Sequence, residues 1–160
     1  MLLWGHVGFI KSYFMNKVII LQGLPGSGKS TWAKQFCMET PNSLILNKDS
    51  LRKMLNCGEW TAEYEKIVKS IEMSALELIL DRCDNTTVVV DDTNLRLKTV
   101  NNLMQICREH NADVALKDFF HVPLKDCIER DSKREHPVGS SAIIRMNEDL
   151  NTFKQYVKGL

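Results

Sequence analysis

The chain has 160 residues, enough for one domain with a full hydrophobic core and too few for two domains of ordinary size. Its 44% hydrophobic and 26% charged residues exclude collagen-like, low-complexity and wholly disordered classes. A formal net charge of +1 excludes a strongly basic coat protein for nucleic acid, so any polyanionic ligand has to be gripped by a local patch.

Residues 1–14 are apolar with one or two positive charges, but they run into Met15-Asn16-Lys17 without a small-residue cleavage site. They read as an N-terminal extension, residues 1–15, outside a catalytic domain over residues 16–160. No apolar run reaches the roughly 18 residues that span a bilayer, and no membrane partner is expected. Five cysteines spread along the chain, with no C-x-x-C pair, fit reduced thiols in a cytoplasmic protein rather than a disulfide framework or a zinc site.

Val18 to Leu21 is the first of four short apolar runs; Leu44 to Leu46, Val88 to Val90 and Val114 to Phe120 are the others. Their unbroken apolar character predicts strands of a short parallel sheet, buried on both faces. Helical spacing separates them. The longest such stretch, Trp60 to Cys83, places Tyr64, Ile67, Val68, Ile71, Ala75, Leu78 and Ile79 on one stripe. Leu97 to Cys107 and Leu124 to Arg134 predict further helices, and Ile143 to Val157 a last one behind Ser140 and Ser141. This alternation predicts an α/β fold with every strand's carboxyl end on one edge, where ligands bind.

The first strand leads directly into Gly23-Leu24-Pro25-Gly26-Ser27-Gly28-Lys29-Ser30, a G-x-x-x-x-G-K-[ST] phosphate loop, with Thr31 to Met38 continuing as a helix. Glycines let backbone N–H groups converge on phosphate oxygens, and the helix N-terminus adds partial positive charge. Lys29 is expected on the β- and γ-phosphates of a nucleoside triphosphate and Ser30 on Mg²⁺. The nucleotide-binding set is therefore Gly23, Pro25, Gly26, Ser27, Gly28, Lys29, Ser30 and Thr31.

Asn47-Lys48-Asp49-Ser50-Leu51-Arg52 follows the second strand. Asp49 and Arg52 lie one helical turn apart at the phosphate-loop edge, where a carboxylate can take a proton from an acceptor hydroxyl and an arginine can clamp an acceptor phosphate. A competing reading makes Asp49 or Ser50 a helix cap and Arg52 a solvated residue. Asp91-Asp92-Thr93-Asn94 closes the third strand. Adjacent residues on a strand point to opposite sides, so at most one of the two aspartates faces the phosphates.

Arg130, Lys133 and Arg134 form a basic cluster, with Arg130 and Arg134 four residues apart on one helical face. They either pair with Asp126 and Asp131 or, with His136-Pro137-Val138-Gly139 breaking the helix behind them, form a helical lid over phosphates. His6, His110, His121 and His136 are scattered without ligand spacing and receive no metal or general-base role. Trp32, Trp60 and Tyr64 have the spacing of core aromatics, with base stacking the alternative.

In order and spacing, residues 23–32, 47–52, 91–95 and 130–134 together resemble the kinase domain of the bacteriophage polynucleotide 5′-hydroxyl kinases, over roughly residues 16 to 150. The resemblance implies a P-loop phosphotransferase moving the γ-phosphate of ATP to the 5′-OH end of DNA or RNA, and it points to a phage origin. It makes Lys29, Asp49 and Arg134 catalytic, with Asp49 the general base and Arg134 a lid arginine on the donor phosphates. Arg52 and Asp92 fall on the acceptor side, and Arg130 is a second basic lid position. Lys48 stands where the family often has arginine. Asp131 stands where an uncharged residue is common, and an extra charge there is expected to weaken polyanion binding. The family's acidic D-x-D-G-T-type motif is not found in these residues, so repair limited to the 5′ side is expected. A small-molecule hydroxyl acceptor is the alternative that the same residues serve.

Overall fold

The computed structural model describes residues 15–56 and 60–158; the expected N-terminal extension lies outside them, apart from Met15. Four strands and six helices follow one another: β1 (Lys17–Gln22), α1 (Lys29–Glu39), β2 (Ser43–Leu46), α2 (Lys48–Asn56), α3 (Ala62–Arg82), β3 (Thr87–Val90), α4 (Leu97–Glu109), β4 (Asp113–Asp118), α5 (Leu124–Ser132) and α6 (Ser140–Lys158). The sheet order is β2-β3-β1-β4 and every pair is parallel, with Val18 opposite both Val88 and Val114. The predicted fold is the observed one.

Burial follows from that order. In the central strands β1 and β3, Val18, Ile19, Ile20, Leu21, Val88, Val89 and Val90 are all buried, as unbroken apolar runs require. The strands β2 and β4 lie at the edges, so the prediction of burial on both faces does not hold for them: Leu44, Ile45 and Leu116 are exposed. One sheet face packs Val18, Ile20, Val88 and Val90 against Leu76 and Leu80 of α3 and Leu103 and Ile106 of α4. The other face packs Ile19, Leu21 and Val89 against Ala33, Trp32 and Phe36 of α1. A third cluster, Leu24, Leu95, Cys127, Ile143 and Leu150, lies away from the sheet and joins the phosphate loop to α5 and α6.

The expected stripe on α3 is out of phase. The buried positions are Val68, a member of that stripe, together with Glu72, Leu76 and Leu80 outside it, whereas Tyr64, Ile67 and Leu78 are exposed. Apolar residues occur all round this helix, so periodicity alone did not fix which side meets the sheet. Trp60 is also exposed, and Trp32 stacks on Phe36 with ring centroids 5.0 Å apart.

Buried amides pin both ends of β1. Asn16 donates to the carbonyls of Leu80 and Cys83 at 3.2 and 2.6 Å and accepts from the Thr86 N–H at 2.9 Å, tying the entry of β1 to the end of α3. At the other end of β1, Asn94 donates to the Leu21 carbonyl at 2.8 Å and Gln22 donates to the Asn94 carbonyl at 3.1 Å. Asn94 has φ +45°, a backbone conformation that asparagine tolerates better than most residues. These bonds satisfy polar groups that water cannot reach and fix where the phosphate loop leaves the sheet.

Candidate active site

The carboxyl edge of the sheet gathers the expected residues from four segments. Gly23, Pro25, Gly26, Ser27 and Gly28 form the loop between β1 and α1, and Lys29, Ser30 and Thr31 make the first turn of α1. Asp49 and Arg52 lie on α2, Asp92 just beyond β3, Arg130 on α5, and Arg134 in the connection to α6.

Gly26 has φ +79°, and a Cβ there would drive into the Cys127 carbonyl of α5. Only glycine allows that approach, so the phosphate loop and α5 are in direct backbone contact. Arg130 adds a 3.5 Å contact from Nη1 to the Gly26 carbonyl. Gly26, Gly28, Thr31, Trp32, Gln35, Arg130 and Arg134 line one cleft of about 520 Å³. Both arginines expected near the phosphates thus lie beside the loop, although α5 ends at Ser132 and Arg134 is not on its helical face.

Lys29 is 7% exposed, and its ammonium donates to the Leu24 carbonyl at 2.8 Å and lies 3.4 Å from Ser27 Oγ. Burial lowers its pKa to about 8; Asp91 opposes the shift and Arg134 adds to it. Of the two adjacent aspartates, Asp91 turns toward the loop and Asp92 turns away from it. Burial raises the Asp91 pKa, partly offset by the neighbouring Ser30 side chain and by the charge of Lys29. Its Oδ2 accepts from Asn47 Nδ2 at 3.2 Å, while its buried Oδ1 has no partner. A hydroxyl beside an unpartnered buried carboxylate oxygen is a hard oxygen donor set, which fits Mg²⁺.

Asp92 joins a buried triad. Lys48 Nζ lies 3.4 Å from Asp92 Oδ2 and 3.4 Å from Glu72 Oε2, and the Lys48 N–H donates to Asp92 Oδ1 at 3.2 Å. Glu72 is 1% exposed. Burial and the neighbouring Asp92 push its pKa up to about 9 against the opposing charge of Lys48. Burial alone would depress Lys48, but Asp92 and Glu72 hold its pKa above the ordinary value. Glu72 and Asp92 thus share the single cation of Lys48 in the interior, and the raised Glu72 pKa favours its uncharged form there.

The backbone contact from Lys48 fixes the start of α2, which Asn47 caps by accepting the Ser50 N–H at 2.8 Å. Asp49 is therefore not the capping residue. It accepts instead from Arg52 Nη1 on the next turn. Glu65 of α3 takes the remaining edge of the same guanidinium, with Nε at 2.9 Å and Nη2 at 3.0 Å. Burial works against the charged form of Arg52, but Glu65 and Asp49 raise its pKa.

Glu65 and Glu72 were not among the sequence-predicted residues. Glu65 lies 13 residues from Arg52 and leaves no local signal. Glu72 did leave one: it sits four residues after Val68 and four before Leu76, a carboxylate on an otherwise apolar stripe. The expectation for Asp131 needs correction. The residue is 1% exposed, and its carboxylate is turned inward to Gly139 and Arg134 rather than standing on the surface.

A family profile described as an AAA domain (AAA_33) matches residues 18–159. The chain belongs to this family. It is 29% identical to L-seryl-tRNA(Sec) kinase of Methanococcus maripaludis, over 84% of this chain and 52% of that protein. It is 30% identical to a "Putative bifunctional polynucleotide kinase/RNA ligase" of Autographa californica nuclear polyhedrosis virus, over 92% of this chain and 23% of that one. The chain thus spans about half of the first relative and about a quarter of the second. Among solved structures, a chain of the Pnkp1/Rnl/Hen1 RNA repair complex superposes with a TM-score of 0.78 at 28% identity, over 92% of this chain and 48% of that one. The APS kinase CysC of Mycobacterium tuberculosis shares the fold, with a TM-score of 0.57 at 22% identity over 74% of this chain and 70% of that one. The architecture is that of the P-loop kinases. Among the described residues, no helix is long and apolar enough to cross a membrane.

Proposed function

We propose that the chain is an ATP-dependent kinase acting on a hydroxyl carried by nucleic acid, with the 5′-OH end of DNA or RNA as acceptor. The observation that carries this reading is the pairing of Asp49 with Arg52, one turn apart on α2, at the sheet edge that holds the phosphate loop. A hydroxyl nucleophile needs a carboxylate to receive its proton, and an acceptor that already bears a phosphate needs a cation beside that carboxylate. Asp49 is exposed, as a base reached by a polymeric acceptor has to be.

The phosphate loop, from Gly23 to Thr31, cradles the donor, and Lys29 contacts its β- and γ-phosphates. Arg134, with Arg130 behind it, closes over the transferring group and stabilises the charge that spreads over its oxygens. Ser30 and Asp91 would hold Mg²⁺, which supplies charge neutralisation on the donor phosphates. Asp92 acts indirectly: through Lys48 it sets the start of α2 and so the position of Asp49. Arg52 contacts the phosphate next to the reacting hydroxyl. The likeness to the polynucleotide kinase/RNA ligase and to the RNA repair complex supports this acceptor class.

The match to a seryl-tRNA kinase favours a second reading, in which the hydroxyl belongs to an amino acid esterified to tRNA. Transfer of labelled γ-phosphate from ATP separates the two. The acceptors are 5′-OH oligonucleotides of DNA and RNA, 3′-nucleoside monophosphates, free nucleosides and seryl-tRNA. Label on the oligonucleotides and 3′-monophosphates, lost in Asp49→Asn, is the expected result. Label on seryl-tRNA alone transfers the assignment to the second reading. Label on free nucleosides with no gain from a 3′-phosphate would point to a small-molecule kinase.

A further inference from the structure

The two arginines that face phosphates in this reading are held in different ways. Arg52 has its Nε, Nη1 and Nη2 all engaged by carboxylates, whereas the Arg134 guanidinium makes no hydrogen bond to its carboxylate neighbour and comes nearest to it at Nε. That carboxylate is Asp131, in the last turn of α5. Its Oδ2 accepts the N–H of Gly139 at 2.9 Å. Its Oδ1 lies 3.6 Å from Arg134 Nε and has no hydrogen-bond partner. The backbone repeats the link, since the Arg134 N–H donates to the Asp131 carbonyl at 3.0 Å.

A single buried carboxylate therefore clasps both ends of the connection between α5 and α6. Burying a carboxylate is costly unless hydrogen bonds and opposite charge compensate it, and a serine or asparagine could accept the Gly139 N–H without that cost. The charge has a stereochemical use at Arg134. A guanidinium drawn to a carboxylate through Nε keeps its Nη1–Nη2 edge open, and that edge is the fork that receives two phosphoryl oxygens. Arg134 lines the cleft that also contains Gly26, Gly28 and Thr31 of the phosphate loop.

We propose that Asp131 is the positioning residue of the lid: it fixes the loop through Gly139 and holds Arg134 by Nε, so that the arginine's fork faces the donor's terminal phosphate. This inference rests on the phosphotransfer reading of Arg134.

The test uses Asp131→Asn, which keeps an acceptor oxygen for Gly139 and removes the charge opposite Nε. With the best acceptor, kcat is expected to fall about tenfold while the acceptor KM stays unchanged, since misplacement of one group costs that order of rate. In an Arg134→Ala background the same substitution should have no further effect, because coupled residues are non-additive. An unchanged kcat, or an equal fall in both backgrounds, overturns the proposal. Binding gives a second readout that needs no acceptor. Trp32 lines the cleft, and its fluorescence on titration with ATP and with ADP measures the preference for the γ-phosphate. Asp131→Asn is expected to reduce that preference several-fold; an unchanged ATP-to-ADP ratio also overturns the proposal. If Asp131→Asn does not fold, Arg134→Lys tests the pair from the other side. Lysine keeps the charge but has no Nε–H and no fork, so it should be as inactive as Arg134→Ala, and rescue by lysine would refute the positioning role. Should the wild-type protein phosphorylate none of the acceptors, the functional reading fails, and the ATP-to-ADP ratio still decides the role of Asp131.

Discussion

Glu65 of α3 holds Arg52 of α2 through both Nε and Nη2, at 2.9 and 3.0 Å, and leaves only Nη1 for Asp49. Both members of the Arg52–Glu65 pair are mostly buried, with side chains 18% and 14% exposed. Removing one member therefore leaves a poorly solvated charge, unlike the loss of an exposed ion pair.

Glu65→Ala should accordingly weaken the acceptor side and spare the donor side. The guanidinium loses its fixed orientation, and kcat/KM for a phosphate-bearing acceptor is expected to fall roughly tenfold while ATP affinity holds. Steady-state kinetics with each substrate varied in turn checks this. An equal loss on both substrates would show instead that α2 and α3 had come apart.

Asp49→Asn is expected to reduce transfer by about two to four orders of magnitude, the usual contribution of a positioned general base. Asparagine retains an oxygen for Arg52 Nη1, so ATP binding and thermal stability should be those of the wild type. Single-turnover transfer, with nucleotide titration and a melting curve alongside, measures all three. Retained transfer would make the Asp49–Arg52 pair a purely structural contact.

What the sequence made legible, and what it hid, follow one physical division. Contiguous signals were readable: the valines of β3 as a strand buried on both faces and the glycines and lysine of the phosphate loop, though α5 ends at Ser132 and leaves Arg134 off the helical face expected for it. Long-range pairing was not. Nothing near Arg52 announces Glu65, and nothing near Lys48 announces Glu72, because such partners meet only after α3 has packed on the sheet. The burial of Asp131 was equally hidden, since its role depends on the loop returning to it at Gly139. The phase of α3 failed for a further reason: with apolar residues all round the helix, the sheet decided which ones were covered.

The depressed pKa of Lys29, about 8 in the free protein, makes nucleotide binding proton-linked. Phosphate contacts favour the ammonium form, so the complex holds a proton that the free protein has half lost by about pH 8. Binding at pH 8.5 should then take up a fraction of a proton, and affinity should fall as pH rises further. Calorimetric titration in two buffers of different ionisation enthalpy reads the uptake directly. Lys29→Met should abolish it along with most of the affinity.

Glu72 gives the opposite kind of linkage, in stability rather than binding. Its folded-state pKa is raised to about 9 from the ordinary 4.5, mainly by burial and then by Asp92. Between these two values the folded chain keeps a proton that the unfolded chain has released. The stability contributed by this group is therefore fully present below pH 4.5 and is lost progressively as pH rises toward 9. Glu72→Gln keeps the shape and the hydrogen-bonding capacity of the protonated acid but cannot ionise. Relative to the wild type, this variant should gain melting temperature between pH 5 and pH 8, by roughly 2–4 °C for each pH unit in a chain of this size. A wild-type-minus-variant difference that stays flat over that range would mean that Glu72 is ionised in the fold, so that Lys48 carries two carboxylates rather than one carboxylate and one acid.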